Sequence, residues 1–268
     1  MRALHHKQFL ELHQAPNSLL LLPNAWDAAS ARIFEASGAA AVATSSASLA
    51  WACGYADGGA LPPEELLHAV RNITRVLNVP LTVDMEDGYS AAPAEVGRLA
   101  AELAGTGAVG INLEDGSDPP ALLADKVRAI RAALKGMPLF INARTDVYLR
   151  QLKVEGSPAQ ASIERLKLYH AAGADGAFVP GLTALPEAEE ICAAVTMPLN
   201  LMAMPGLPAI AALQAAGVRR VSVGPAPFQV AYQHAKTSVE ALLQQDLSPL
   251  LGLKLDYSAM NALLAPGD

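Results

Sequence analysis

Cysteine is nearly absent. Cys53 and Cys192 are the only two in 268 residues, so no disulfide framework and no Cys-rich metal site can form, and a reducing, cytoplasmic setting is expected. Long hydrophobic runs are missing too: the apolar stretch at 18–23 is too short to cross a bilayer, and the first residues carry no signal-type segment. Basic clusters are also lacking. With 19 Lys and Arg scattered among 26 Asp and Glu, for a net charge of −7, neither nucleic acid nor a membrane surface is an expected partner. No Gly-x-Ser-x-Gly, phosphate loop or Gly-x-Gly-x-x-Gly occurs, which removes the usual nucleophile elbow and nucleotide sites.

What is present suits a large core. The chain is 52% hydrophobic and 17% charged, and its length fits one α/β barrel. Nearly continuous apolar runs, several introduced by Pro or Gly, predict strands at 19–22, 40–44, 81–85, 109–113, 139–143, 176–179, 199–202 and 221–223. Helical spacing of apolar residues predicts helices at 63–77, 94–105, 121–134, 158–172 and 186–194. Eight strand-helix units close a (β/α)8 TIM barrel. We read 1–268 as one such domain, with 227–268 as a helical tail whose apolar face is longer than a closed barrel needs and is expected to pack on another subunit.

Active sites of parallel barrels form where strands end, so the residues just after each apolar run carry the most information. Asp84 and Glu86 alternate at the end of the third strand, in Val83-Asp84-Met85-Glu86-Asp87-Gly88-Tyr89. Glu114 closes the fourth, and Asp57 lies in a Gly-rich loop after the second. Acids crowded in a weakly polar pocket repel by several kcal/mol, roughly, which a cation relieves. Oxygen-only ligands point to Mg2+, with Mn2+ as the other hard ion, rather than to zinc. Arg144 ends the fifth strand, where its fork geometry suits a substrate carboxylate. Ser45 and Ser46 end the second strand in a turn of small residues that an anion can approach closely. The plainer reading makes Asp57, Asp87 and Asp115 turn-formers before glycine. His5, His6, His13 and His68 show no ligand spacing and are expected at the surface.

Taken in order, Pro23-Asn24-Ala25-Trp26-Asp27-Ala28, the Ser45-Ser46 turn with Asp57, Asp84-x-Glu86-x-Gly88-Tyr89, Ile111-Asn112-Leu113-Glu114-Asp115 and Ala143-Arg144-Thr145-Asp146 resemble the isocitrate lyase and phosphoenolpyruvate mutase superfamily over roughly residues 15 to 230. The resemblance implies a (β/α)8 barrel that holds Mg2+ and a small α-oxo or 2-hydroxy acid, and a homo-oligomer, dimer or tetramer, whose final helices are exchanged between subunits. It places the metal acids at Asp57, Asp84, Glu86 and Glu114, some acting through water, and the substrate carboxylate at Ser45, Ser46 and Arg144. Trp26 is assigned a packing role and Asp27 a helix cap. The chain departs from the family lyases after the fourth strand. Their loop with a basic pair, a cysteine and a histidine is replaced by Asp115-Gly116-Ser117-Asp118-Pro119-Pro120, and neither Cys53 nor Cys192 substitutes for the cysteine.

These readings converge on a metal-dependent carbon–carbon lyase or decarboxylase that works through a metal-stabilised enolate on a small α-oxo or 2-hydroxy di- or tricarboxylic acid. Arg144 and Asp57 are the expected catalytic residues. Arg150, Lys153 and Asn200 are candidates for contact with a distal carboxylate. A C–P bond enzyme of the phosphonopyruvate hydrolase or mutase type, or an α-oxo acid binder without turnover, would use the same ion and the same turn.

Overall fold

Each strand of the structure, a computed structural model that describes residues 2–15 and 18–265, turns alternate side chains to opposite faces. Residues 1, 16, 17 and 266–268 of the expected domain lie outside the described residues. The strands are β1 (Leu20–Leu22), β2 (Asn24–Ala25), β3 (Val42–Thr44), β4 (Leu81–Asp84), β5 (Gly110–Glu114), β6 (Phe140–Arg144), β7 (Gly176–Phe178), β8 (Leu199–Met202) and β9 (Arg220–Ser222). All pair in parallel, in the order β1-β9-β8-β7-β6-β5-β4-β3-β2. β1 and β2 are one extended segment interrupted at Pro23, whose first half pairs with β9 and whose second half pairs with β3. That switch of partner brings the two edges of the sheet together as a TIM-type barrel, so the eight expected strands are all found.

Asn24 fastens the junction. Its Oδ1 accepts from the backbone N–H groups of Val223 (2.9 Å) and Gly224 (3.0 Å), and its Nδ2 donates to the Thr44 carbonyl (2.7 Å). One buried side chain thus satisfies backbone groups on both sides of the seam.

Outward positions such as Val83, Ile111, Ile141, Leu199 and Val221 join the core under the helices. These are α2 (Ala28–Ala36), α3 (Ser46–Ala52), α4 (Pro63–Val76), α5 (Pro93–Gly105), α6 (Pro120–Leu134), α7 (Pro158–Ala172), α8 (Leu185–Ala194), α9 (Ile210–Ala215), α10 (Ala226–Leu243) and α11 (Tyr257–Leu264), preceded by α1 (Arg2–Gln14). Proline opens α4, α5, α6 and α7, where its missing N–H costs no hydrogen bond. The five helices read from spacing fall within a residue or so of those bounds. Asp27 caps α2 as expected, accepting from the Ser30 N–H (2.7 Å). Trp26 packs edge-on against Phe34 and Phe228.

Inward positions divide by height. Leu20, Leu22, Ala41, Ala43, Val109 and Phe140 form an apolar floor closed by Phe9 of α1. His13, expected at the surface, is instead buried there. It stacks on Phe140 (4.6 Å between centroids) and shares a 2.7 Å hydrogen bond with the Phe9 carbonyl. Burial, with Arg220 nearby, pushes its pKa down to about 4. The misreading has a physical source: α1 is polar overall, and the deeply buried side chains among its described residues, Phe9 and His13, form an (i, i+4) pair too small to show as periodicity.

At the other end of the chain, α11 lies on α2 of the same chain, where Arg32 Nε donates to the Leu263 carbonyl (3.1 Å). α10 leaves Val230, Tyr232, Val239 and Leu243 exposed. No helix of the described residues is long and apolar enough to cross a membrane.

Candidate active site

β4 ends at Asp84, and the neighbouring β3 exit is built around that carboxylate. Thr44 Oγ1 accepts from the Asp84 N–H (2.9 Å), while the N–H and hydroxyl of Ser46 both donate to Asp84 Oδ2 (3.1 and 2.9 Å). Ser45 caps α3 through its hydroxyl, which accepts from the Ser48 N–H at 3.4 Å. Asp84 Oδ1 is buried with no hydrogen-bond partner.

Beyond Asp84 the chain turns sharply. Glu86 (φ 52°) and Tyr89 (φ 61°) occupy the left-handed region, which L-residues seldom adopt and which concentrates at functional sites. Gly88 (φ 96°) is required between them, since a Cβ there would come within 2.5 Å of Val96. The turn is pinned by the Glu114 N–H, which donates to the Glu86 carbonyl (3.0 Å), and by the Tyr89 hydroxyl, which donates to Glu86 Oε1 (3.1 Å).

Glu114 and Arg144 stand opposite each other in the β5–β6 register, with Arg144 Nη1 2.6 Å from Glu114 Oε2. Arg144 also grips Asp146, through Nε to Oδ1 (2.6 Å) and Nη2 to Oδ2 (3.1 Å), and its guanidinium sits 5.7 Å over the Phe178 ring. Asp146 is fully buried, and its N–H donates to Asp115 Oδ1 (2.9 Å). Asp115 accepts in turn from Arg165 (2.8 Å) and Tyr169 (2.6 Å), so its role is structural. Asp87 likewise serves its turn, accepting from the Tyr89 N–H (2.9 Å).

Asp57, in the exposed loop after α3, lies close enough to feel Asp84, Arg144 and Arg150, and Glu86 feels both Asp84 and Asp57. The structure therefore brings Ser45, Ser46, Asp57, Asp84, Glu86, Glu114 and Arg144 to one barrel mouth. Burial raises the carboxyl pKa of Asp57 and of Glu86, with help from neighbouring acids. Glu114 is pushed up to about 8, chiefly by burial and then by Asp146 and Asp84, against the pull of Arg144 and Arg150. Five carboxylates (Asp57, Asp84, Glu86, Glu114, Asp146) face three guanidiniums (Arg144, Arg150, Arg220), so full ionisation leaves two negative charges.

Among the described residues no three His, Cys, Asp or Glu side chains form a ready-made cage. The donor set nevertheless fits Mg2+, which takes one or two carboxylates and completes its octahedron with water and substrate oxygens. If such an ion binds, Asp84 Oδ1, buried without a hydrogen-bond partner, is the oxygen left open to it, and Glu86, Glu114 and Asp57 are the neighbouring acids.

Below the mouth, the lumen holds polar side chains that the apolar strand runs concealed. Asn142 Nδ2 and Arg220 Nη2 both donate to Asn112 Oδ1 (2.9 and 3.2 Å), and burial lowers the Arg220 pKa to about 9. Asn200 is buried in this lumen, bonded to Ser222 (3.3 Å), rather than at the rim where a distal carboxylate would meet it. Arg150 is at the rim, and Lys153 is exposed. Of the residues that sequence reasoning left without a role, Asp146 could have been read from the Arg-x-Asp spacing and Tyr89 from its place in the Asp84-x-Glu86-x-Gly88-Tyr89 motif, whereas nothing in the sequence singled out Arg220.

The structure is thus a parallel barrel whose strand ends gather five acids around a buried arginine at one mouth. Comparison with known proteins sharpens that class. The family model described as phosphoenolpyruvate phosphomutase matches residues 9–243, and the chain belongs to this family. Within the wider phosphoenolpyruvate mutase and isocitrate lyase superfamily, the chain is 35% identical over 234 residues to an uncharacterized protein of Mycobacterium tuberculosis (strain H37Rv), covering 85% of this chain and 86% of that one. It is 32% identical over 191 residues to an oxaloacetate decarboxylase of Bradyrhizobium sp. (strain BTAi1), covering 66% and 64% of the two chains. A solved structure of a candidate phosphonomutase from Burkholderia cenocepacia J2315 superposes with a TM-score of 0.84 at 34% identity, covering 90% of this chain and 99% of that one. Relatives of this chain thus include carbon–carbon lyases and mutases.

Proposed function

We propose that the protein is a Mg2+-dependent lyase or decarboxylase that breaks a carbon–carbon bond in a small α-oxo or 2-hydroxy di- or tricarboxylic acid. The observation that carries this reading is the Glu114–Arg144 pair (2.6 Å) standing beside the unpartnered, buried Asp84 Oδ1 at one barrel mouth. Bound there, Mg2+ would supply Lewis-acid charge to the substrate's keto oxygen as negative charge develops on it.

The chain's own residues do the rest. Arg144, fixed by Asp146 and Phe178, binds the α-carboxylate and orients the substrate so that the breaking bond lies across the developing π system. Ser45, whose hydroxyl accepts from Ser48 and can still donate, holds the other side of that carboxylate, while the N–H and hydroxyl of Ser46 fix Asp84. Asp57, on the exposed loop, holds water at the mouth and passes a proton to or from it. The thiol of Cys192 is pushed up to about 11 by burial, and Cys53 by burial and Glu65, so neither is a ready acid; solvent reprotonates the product carbon. That favours decarboxylation of an oxaloacetate-like acid, in keeping with the oxaloacetate decarboxylase among the relatives.

A second reading, cleavage or rearrangement of a C–P bond, is favoured by the likeness to the candidate phosphonomutase. The exposed apolar face of α10 supports a homo-oligomer, dimer or tetramer, with exchange of the C-terminal helices. Pyruvate and glyoxylate release, measured against oxaloacetate, isocitrate, 2-methylisocitrate and phosphonopyruvate with an EDTA control, tests the assignment. Turnover of one carbon acid supports the lyase, turnover of phosphonopyruvate alone replaces it with C–P chemistry, and turnover of none removes both.

A further inference from the structure

Arg150 has no part in the chemistry just described, yet it shares a buried anchor with Arg144. It sits one turn past Asp146, its N–H donating to the Asp146 carbonyl (2.9 Å) and its Nε to Asp146 Oδ2 (2.9 Å). That same Oδ2 accepts from Arg144 Nη2 at 3.1 Å. Two donors on one oxygen cannot be more than the sum of those distances apart, about 6 Å. Asp146, fully buried, is therefore a brace that fixes two guanidiniums side by side.

The two differ in depth. The Arg144 side chain is 14% exposed, whereas that of Arg150 is 49% exposed and lies over Gly116, where even a Cβ would stand 3.7 Å from Nη2. Its remaining acid, Glu114, is 3.6 Å from Nη2, beyond hydrogen-bond reach, so the Nη groups keep donors to spare beside Glu114. Asp57 across the mouth feels both arginines.

We infer that Arg150 is a specificity-determining residue that receives the distal carboxylate of a four- or five-carbon 2-oxo dicarboxylate while Arg144 holds the α-carboxylate. This rests on the oxo-acid reading of the site and names its substrate class. The carboxylate carbons of such diacids lie roughly 4–6 Å apart, matching the braced pair. Monocarboxylic oxo acids leave Arg150 unused and bind more weakly.

The test compares 2-oxoglutarate with 2-oxopentanoate, equal in chain length but lacking the second carboxylate, by calorimetric titration of the full-length protein with Mg2+ present. The unaltered protein is expected to prefer the diacid at least tenfold. Arg150→Gln should bring the two within about twofold while leaving 2-oxopentanoate unchanged, because Asp146 keeps Arg144 as its partner. Arg150→Lys, which keeps the charge but loses the fork, should retain a reduced preference and decides the matter if the glutamine variant does not fold. Equal weakening of both ligands by Arg150→Gln, or no preference in the unaltered protein, would overturn the assignment and leave Arg150 a brace alone. Binding of neither acid would overturn the oxo-acid reading itself, and this inference with it.

Discussion

Loading the site with Mg2+ should expel a proton. Glu114, pushed up to about 8, is roughly nine-tenths protonated at pH 7 in the metal-free protein. A bound cation needs the carboxylate, so Mg2+ should release about 0.9 proton per ion at pH 7 from this group, about 0.5 at pH 8 and under about 0.1 at pH 9. The work of ionising Glu114 at pH 7 is about 1.4 kcal/mol, which weakens Mg2+ binding about tenfold relative to high pH. The affinity should therefore climb close to tenfold per pH unit below pH 7 and about fivefold between pH 7 and 8. Calorimetric titration of Mg2+ in two buffers of different ionisation enthalpy reads the proton count directly. Glu114→Gln should reduce the count by the Glu114 share. Release below about 0.2 proton at pH 7, or the same release from Glu114→Gln, would refute the reasoning. A stability effect accompanies it. In EDTA, the folded protein binds more protons than the unfolded chain between the ordinary glutamate pKa of 4.5 and about 8, so this group's contribution to stability falls as pH rises through that window, and Mg2+ should raise Tm most at its upper end.

Other consequences can be checked separately. Ser46→Ala removes the 2.9 Å hydroxyl bond to Asp84 and should weaken Mg2+ binding about tenfold, measured by titration. Asn24→Ala leaves two N–H groups and a carbonyl at the barrel seam without their partner, and should cost about 3 kcal/mol in a urea melt. His13 is buried neutral with its pKa lowered to about 4 from 6.5, so the unfolded chain binds the extra proton in that window. Its contribution is complete above pH 6.5 and lost as pH falls toward 4. The loss is up to about 3 kcal/mol, and His13→Leu should flatten that part of the Tm–pH curve.

The strands were legible because their outward faces are uniformly Leu, Val, Ile and Ala, and Pro or Gly marks their entries. What lay inside the barrel was harder to read. Asn112, Asn142 and Asn200 each interrupt an apolar run, and Arg220 precedes one, with side chains that turn into the closed lumen. The seam was hidden for a similar reason: Pro23 looks like the end of a strand, whereas it marks where the strand exchanges one neighbour for another. α3 was missed because its serines read as a turn, and they do end the β3 exit, with Ser45 as cap. The acids and Arg144 stood out because strand ends in a parallel barrel all face one mouth. Their couplings were less plain: Asp146 lies two residues from Arg144 and four from Arg150, and Tyr89 three from Glu86, but the turns after the strand ends decide which of these close neighbours grip one another.

The most direct test of the central claim is the rate of Mg2+-dependent pyruvate formation from oxaloacetate, corrected for the rate with Mg2+ alone, in the unaltered protein and in Arg144→Ala. Expected is protein-dependent release that EDTA abolishes and that the variant loses by at least about a hundredfold in kcat/KM. Pyruvate release that survives EDTA, or that Arg144→Ala leaves unchanged, would contradict it.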